Sequence, residues 1–220
     1  MRTNWSGWRL IGIVFLIYFG ITTFMTQIET VVFLQYLVDI VPTEDTFNLF
    51  FNGAVTAAIL APKVVVIHGK YFRTEEGIEE TSKIVMNIRQ WILKLSLAAV
   101  IYAFIYLLFG ALVFKPLAGA AFDEFYAGLQ MPAWIILFQL IRGILFTLLA
   151  FPVICMLKDS YWETGWVVSL LYSVLLASLL IPPNEFMPVT IRFAHMVELF
   201  TSMFLFGWIV TKLFYRHRSI

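Results

Sequence analysis

PAWIILFQLIRGILFTLLAFPVICML, residues 132–157, reads as a helix built to live in lipid, yet it carries Arg142 near its middle. A hydrocarbon core takes about 20 residues of helix to cross. A guanidinium inside one costs about 3 kcal/mol on insertion scales, so it needs a partner or a wet cavity. Glu29, His195 and Glu198 fall in similarly apolar surroundings. The chain is therefore expected to be a membrane bundle with a polar cluster inside it.

Composition agrees. Of 220 residues, 61% are hydrophobic and only 13% charged, with a mean hydropathy of +0.87. In soluble domains about a quarter of residues are charged. The formal net charge of +1 gives no sign of a nucleic-acid partner. Cys155, the lone cysteine, lies in an apolar run and reads as a small filler with no disulfide or metal role. Membrane lipids are the expected surroundings.

Six apolar stretches are long enough to span: Leu10 to Ile28, Phe47 to Ile67, Trp91 to Phe114, Pro132 to Leu157, Trp166 to Ile181 and Val189 to Leu213. Each must be helical, because lipid offers backbone groups no other partner. The fold class is all-α, a polytopic integral membrane protein with six transmembrane helices in a single domain over residues 1–220. The first stretch reads as a retained span, since Thr26-Gln27-Ile28-Glu29 offers no small-x-small cleavage site.

Cations set the expected orientation. Arg2 and Arg9 precede the first span, and Lys70, Arg73, Lys83, Arg89 and Lys94 lie between or at the ends of the second and third. Lys158, Lys212, Arg216 and Arg218 follow the fourth and sixth, whereas Lys115 is the one clear cation of the opposite loops. The positive-inside rule then puts both termini in the cytoplasm, most naturally at the cell membrane. Trp5, Trp8, Trp91, Trp162 and Trp166 fall at the inner interface and Trp134 at the outer one, as an aromatic belt expects.

Two segments depart from a plain count of spans. The chain is almost continuously apolar from Leu10 to Val41, which as one helix would reach roughly 47 Å. A break near Gln27 to Thr30 is expected, leaving Val31 to Val41 along the outer face, with an outward-protruding helix as the alternative. Thr74 to Gln90 carries Ile78, Ile84, Val85 and Ile88 at helical spacing and reads as an amphipathic cytoplasmic helix feeding the third span. Small residues step by four along two spans: Gly53, Ala57 and Ala61, then Ser169, Ser173 and Ala177. Such stripes let backbones approach, here within the chain rather than between copies. Pro152 is expected to kink the fourth span.

Depth arithmetic gathers the buried polar groups. Measured from the inner interface along each helix, Arg142 lies roughly 24 Å up, Glu198 roughly 21 Å and His195 roughly 25 Å. Gln139, Asn52, Arg192 and Glu29 fall at roughly 27 to 30 Å. Arg192, His195 and Glu198 are three apart and share a stripe, as do Gln139 and Arg142. Seven residues thus form the candidate ligand site: Arg142, His195, Glu198, Glu29, Gln139, Arg192 and Asn52. Each has a plainer reading: Arg142 as a helix clamp, Arg192 snorkelling to the surface, Gln139 and Asn52 as interhelical hydrogen bonders.

A metal site would need a second histidine within a span, and His68 and His217 lie at the cytoplasmic side; no cofactor or catalytic group is expected. No Gly-x-Ser-x-Gly or His-Glu-x-x-His string occurs. The leading expectation is binding, with transport as its use, of a small anionic or zwitterionic ligand in an outward-facing cavity. Arg142 would anchor the anion, and Glu198 with His195 would balance charge. A non-catalytic subunit or assembly factor with structural charges, docked on a protein partner or another copy, comes second. An integral membrane enzyme using Glu198 or Glu29 as acid or base comes third.

Overall fold

Long apolar runs broken by short polar linkers leave the backbone one economical answer, and the computed structural model is helical throughout its regular elements. It describes residues 3, 5–33, 46–72, 86–127, 131–157, 160–183 and 187–215. In chain order the helices are α1 (Gly7–Phe33), α2 (Thr46–Ile67), α3 (Ile88–Ala118), α4 (Ala120–Phe125), α5 (Trp134–Met156), α6 (Tyr161–Ser178) and α7 (Val189–Phe214). Five of them, α1, α2, α3, α5 and α7, are long and apolar enough to cross a membrane. Their outer faces carry large apolar side chains, such as Phe47, Phe104 and Leu137, which suit contact with lipid.

α6 answers to the expected fifth span, but it starts at Tyr161 and ends at Ser178. Its 18 residues include Glu163, Thr164, Ser169 and Ser173, so it is shorter and more polar than the other five. Ser160 and Glu163 form a reciprocal capping box that fixes its start. The polar residues on its inner face are hidden: Thr164, Ser169 and Ser173 are fully buried.

The break expected near Gln27 to Thr30 is absent, because α1 runs through that stretch to Phe33. Polar side chains leading into it are bonded without leaving the helix. The hydroxyl of Thr26 donates to the Thr22 carbonyl at 2.6 Å, and that of Thr22 to Tyr18 at 2.7 Å. Glu29 is taken up by an ion pair described below. The helix accommodates the stretch by widening: Gly20–Phe24 is π-helical, with the Met25 amide reaching back to Gly20. The rest of the expected outer-face segment, and most of the expected amphipathic helix before the third span, lie outside the described residues. α5 continues through Pro152 to Met156.

Three helix pairs are drawn together at glycines. A Cβ on Gly53 of α2 would stand 2.2 Å from the hydroxyl of Thr23 in α1. One on Gly143 of α5 would stand 2.9 Å from the Ala99 backbone in α3, and one on Gly207 of α7 would stand 2.7 Å from the Ser169 Cα in α6. Both small-residue stripes therefore pack within the chain: Ala57, Ala61, Ser169 and Ser173 are fully buried. A ring network at the centre joins the pairs, with Tyr102 lying 5.4 Å from Phe146 and 5.0 Å from Phe206. The Tyr172 hydroxyl of α6 donates to the Phe146 carbonyl of α5.

Contacts at one end show which termini share it. The Gly7 amide donates to the Lys70 carbonyl at 2.8 Å, and Thr3 bridges Leu157. Trp91, Phe151 and Phe214 stack together. Lys94 of α3 donates to the Leu213 carbonyl at the end of α7, placing a cation on the negative pole of that helix. Replacing Lys94 by Met should cost about 1.5 kcal/mol, the worth of a charge-assisted hydrogen bond, read as a lower unfolding temperature in detergent. Lys70 and Lys94 gather at this end together with the start of α1 and the ends of α5 and α7.

Candidate functional site

At the opposite end, where α1, α3 and α6 finish and α5 and α7 begin, the helices enclose a cavity of about 410 Å³. That volume is within the range of small-molecule pockets. Burial pressure explains which side chains reach it. Gln139 and Arg142 are one turn apart on α5, and both are 2% exposed, so the stripe faces inward. Arg142 extends to α1, where one Nη lies 2.5 Å from Glu29 Oε2 and 3.4 Å from the Met25 carbonyl. Its other Nη donates to Gln139 Oε1 at 3.0 Å.

The guanidinium is also sheathed in rings. Its central carbon is 5.6 Å from the centroid of Phe138 and 5.8 Å from those of Tyr102 and Phe146. Cations are favoured over aromatic faces. Two buried nitrogens, Arg142 Nε and Gln139 Nε2, have no protein partner.

The second charged pair comes from α7. His195 and Glu198 are three residues apart, and Nδ1 lies 3.1 Å from Glu198 Oε2. Glu198 is 6% exposed and lines the same cavity as Arg142 and Glu29. The His195 ring stands 5.2 Å from that of Phe114 at the end of α3.

A hairpin closes the wall beside this pair. Gly119, at φ +55°, supplies a backbone conformation that L side chains resist, and the chain reverses there from α3 into α4. Ala118 then packs on Ile191 and Ala194 of α7, while Phe122 and Tyr126 stack 5.4 and 6.1 Å from Phe114. Burial, with the charges of Glu29 and Glu198, holds the Tyr126 phenol well above its ordinary range, so it keeps its proton. Lys115 stands at the rim, largely exposed, 3.5 Å from Asp123 and 5.3 Å over the Phe122 ring.

Of the seven residues expected to meet, Arg142, Glu29, His195 and Glu198 line the cavity. Gln139 supports Arg142 without lining it. Asn52 is exposed on α2 and away from the cavity. It precedes Gly53, whose face packs on α1, and one residue turns a helix by about 100°. Arg192 is half-buried near the start of α7 and does not line the cavity either. Counting residues along a helix gives depth but no azimuth.

Sequence reasoning missed the aromatic lining: Tyr102, Tyr106, Phe114, Phe122 and Tyr126. Tyr102 and Tyr106, one turn apart inside an apolar span, were a visible signal, because lipid gives a phenol no partner. Among the described residues, no group of three or more His, Cys, Asp or Glu side chains lies close enough to hold a metal ion. No family model, curated protein or solved structure matches the chain.

Proposed function

We propose that this chain is a multi-pass membrane protein of six spans, α6 being the fifth, with both termini in the cytoplasm. Its cavity opens toward the extracytoplasmic side and binds a small zwitterionic ligand with an apolar body, and carriage across the membrane is the use we attach to it. One observation carries the reading: Glu29, Arg142, His195 and Glu198 converge from three helices on one cavity whose other walls are mostly apolar and aromatic. Burying charge in a span is costly, and a cavity lined by an arginine–glutamate ion pair and a histidine–glutamate pair suits a ligand that itself bears both signs. The cations clustered at the opposite end support the orientation.

A second reading is favoured by the pairing of Arg142. Both of its Nη groups already have partners in Glu29, Gln139 and a backbone carbonyl, as a helix clamp in a non-catalytic subunit would require. Filling the cavity separates the two. Leu199→Trp, on a half-buried lining residue, leaves both charged pairs in place. Under the binding reading the variant keeps the wild-type unfolding temperature in detergent but loses the thermal shift that zwitterionic ligands give the parent. A parent protein that no zwitterion stabilises would decide for the clamp.

A further inference from the structure

Resting on the binding reading above, we infer that the cavity holds an ammonium group of its ligand against the carboxylate of Glu198, inside the aromatic wall made by Phe114, Phe122 and Tyr126. The charges around the cavity point this way once their pairings are followed. Glu29 is closed by Arg142 at 2.5 Å, and Lys115 by Asp123 at 3.5 Å. Among the described residues, Glu198 is paired with His195 and with no lysine or arginine. With a neutral imidazole, the cavity therefore keeps one uncompensated negative charge, on a side chain that is 6% exposed.

The wall around that charge is built for a cation. The Phe114 ring stands against His195 and meets Phe122 and Tyr126 edge to face, so aromatic rings line the cavity beside the carboxylate's own partner. The same wall already carries a cation at its rim, the ammonium of Lys115 over Phe122. An anion entering alone would meet the Glu198 carboxylate, while both Nη groups of Arg142 are committed to Glu29 and Gln139. Like charges at short range are strongly disfavoured.

The imidazole gives this arrangement a pH dependence with a definite sign. Protonated His195 neutralises Glu198 from within and competes with the ligand's ammonium; neutral His195 leaves the carboxylate free. Affinity for a cation therefore falls as pH drops through the range in which the imidazole charges, approaching tenfold per pH unit for one-to-one competition. The other charged or titratable groups at the cavity are Glu29 of α1, Tyr102, Tyr106 and Lys115 of α3, Tyr126 after α4, and Arg142 of α5. Arginine stays charged throughout, and Arg142 is paired with Glu29.

Three probes sharing one apolar body test this by calorimetry on the full chain in lipid nanodiscs: phenethylammonium, phenylalanine and 3-phenylpropionate. Phenylalanine differs from 3-phenylpropionate only by the ammonium. The expected result is that both ammonium-bearing probes bind at least tenfold tighter than the anion. Glu198→Gln, nearly isosteric, should erase that preference, and His195→Gln should flatten the pH profile. Tightest binding of 3-phenylpropionate would overturn the inference and leave the binding reading standing. An unchanged preference in Glu198→Gln, with wild-type unfolding temperature, would also overturn it. Absence of binding by all three would overturn it together with the binding reading.

Discussion

Glu29→Ala is expected to destabilise the protein by about 3–5 kcal/mol, the cost of stranding one member of a buried ion pair. Arg142 is 2% exposed and cannot shed its charge by losing a proton. Without Glu29, its guanidinium keeps only Gln139 and a long contact to the Met25 carbonyl, in a shell of aromatic rings. The double variant Glu29→Leu, Arg142→Met removes both charges and should recover most of the loss, since apolar pairs of similar volume often replace buried ion pairs without penalty. Unfolding temperatures in detergent, compared across parent, single and double variants, check this. Equal temperatures in the parent and Glu29→Ala would show that the pair holds nothing together. A stable double variant that no longer responds to ligand would separate the clamp from the binding site.

Gly207→Val should also be damaging, by a different route. A Cβ at Gly207 would lie 2.7 Å from the Ser169 Cα, 3.0 Å from its amide nitrogen and 3.1 Å from the Val168 carbonyl carbon. All three are backbone atoms, so no rotamer change relieves the clash, and α6 and α7 must separate. Overpacking of this kind costs about 1–3 kcal/mol. In a membrane the loss bears directly on assembly, because close van der Waals contact drives helix association there. Gly12→Ala is the matched control, since a Cβ there meets nothing. The fraction of folded, monodisperse protein recovered from membranes should fall for Gly207→Val and stay level for Gly12→Ala.

Residues whose burial is dictated by chemistry were legible in the sequence. Arg142, Gln139, Glu29, His195 and Glu198 sit at helical spacing in apolar runs, and lipid forces such side chains inward. Asn52 and Arg192 show the limit of that logic. Their depth followed from counting residues, but their facing followed from which stripe packs, and that is set by Gly53 on α2 and by Ile191 and Ala194 on α7. The hairpin through Gly119 was not legible, because its aromatic residues follow no period and read as an ordinary loop. Gln27 to Thr30 looked like an interruption for a related reason. A polar run suggests a break only until its carboxylate, Glu29, finds a guanidinium within reach.

The widened turn at Gly20–Phe24 bears on how chain length can vary in this protein. A π turn holds one residue more than an α turn, so it stores a surplus that the surrounding helix does not need. A relative one residue shorter within that turn would close into regular α-helix and still deliver its carboxylate to the same guanidinium. The same deletion between Met25 and Glu29 would swing the carboxylate about 100° around the axis and out of reach. Between Gly7 and Glu29, insertions and deletions should therefore concentrate in this elastic turn.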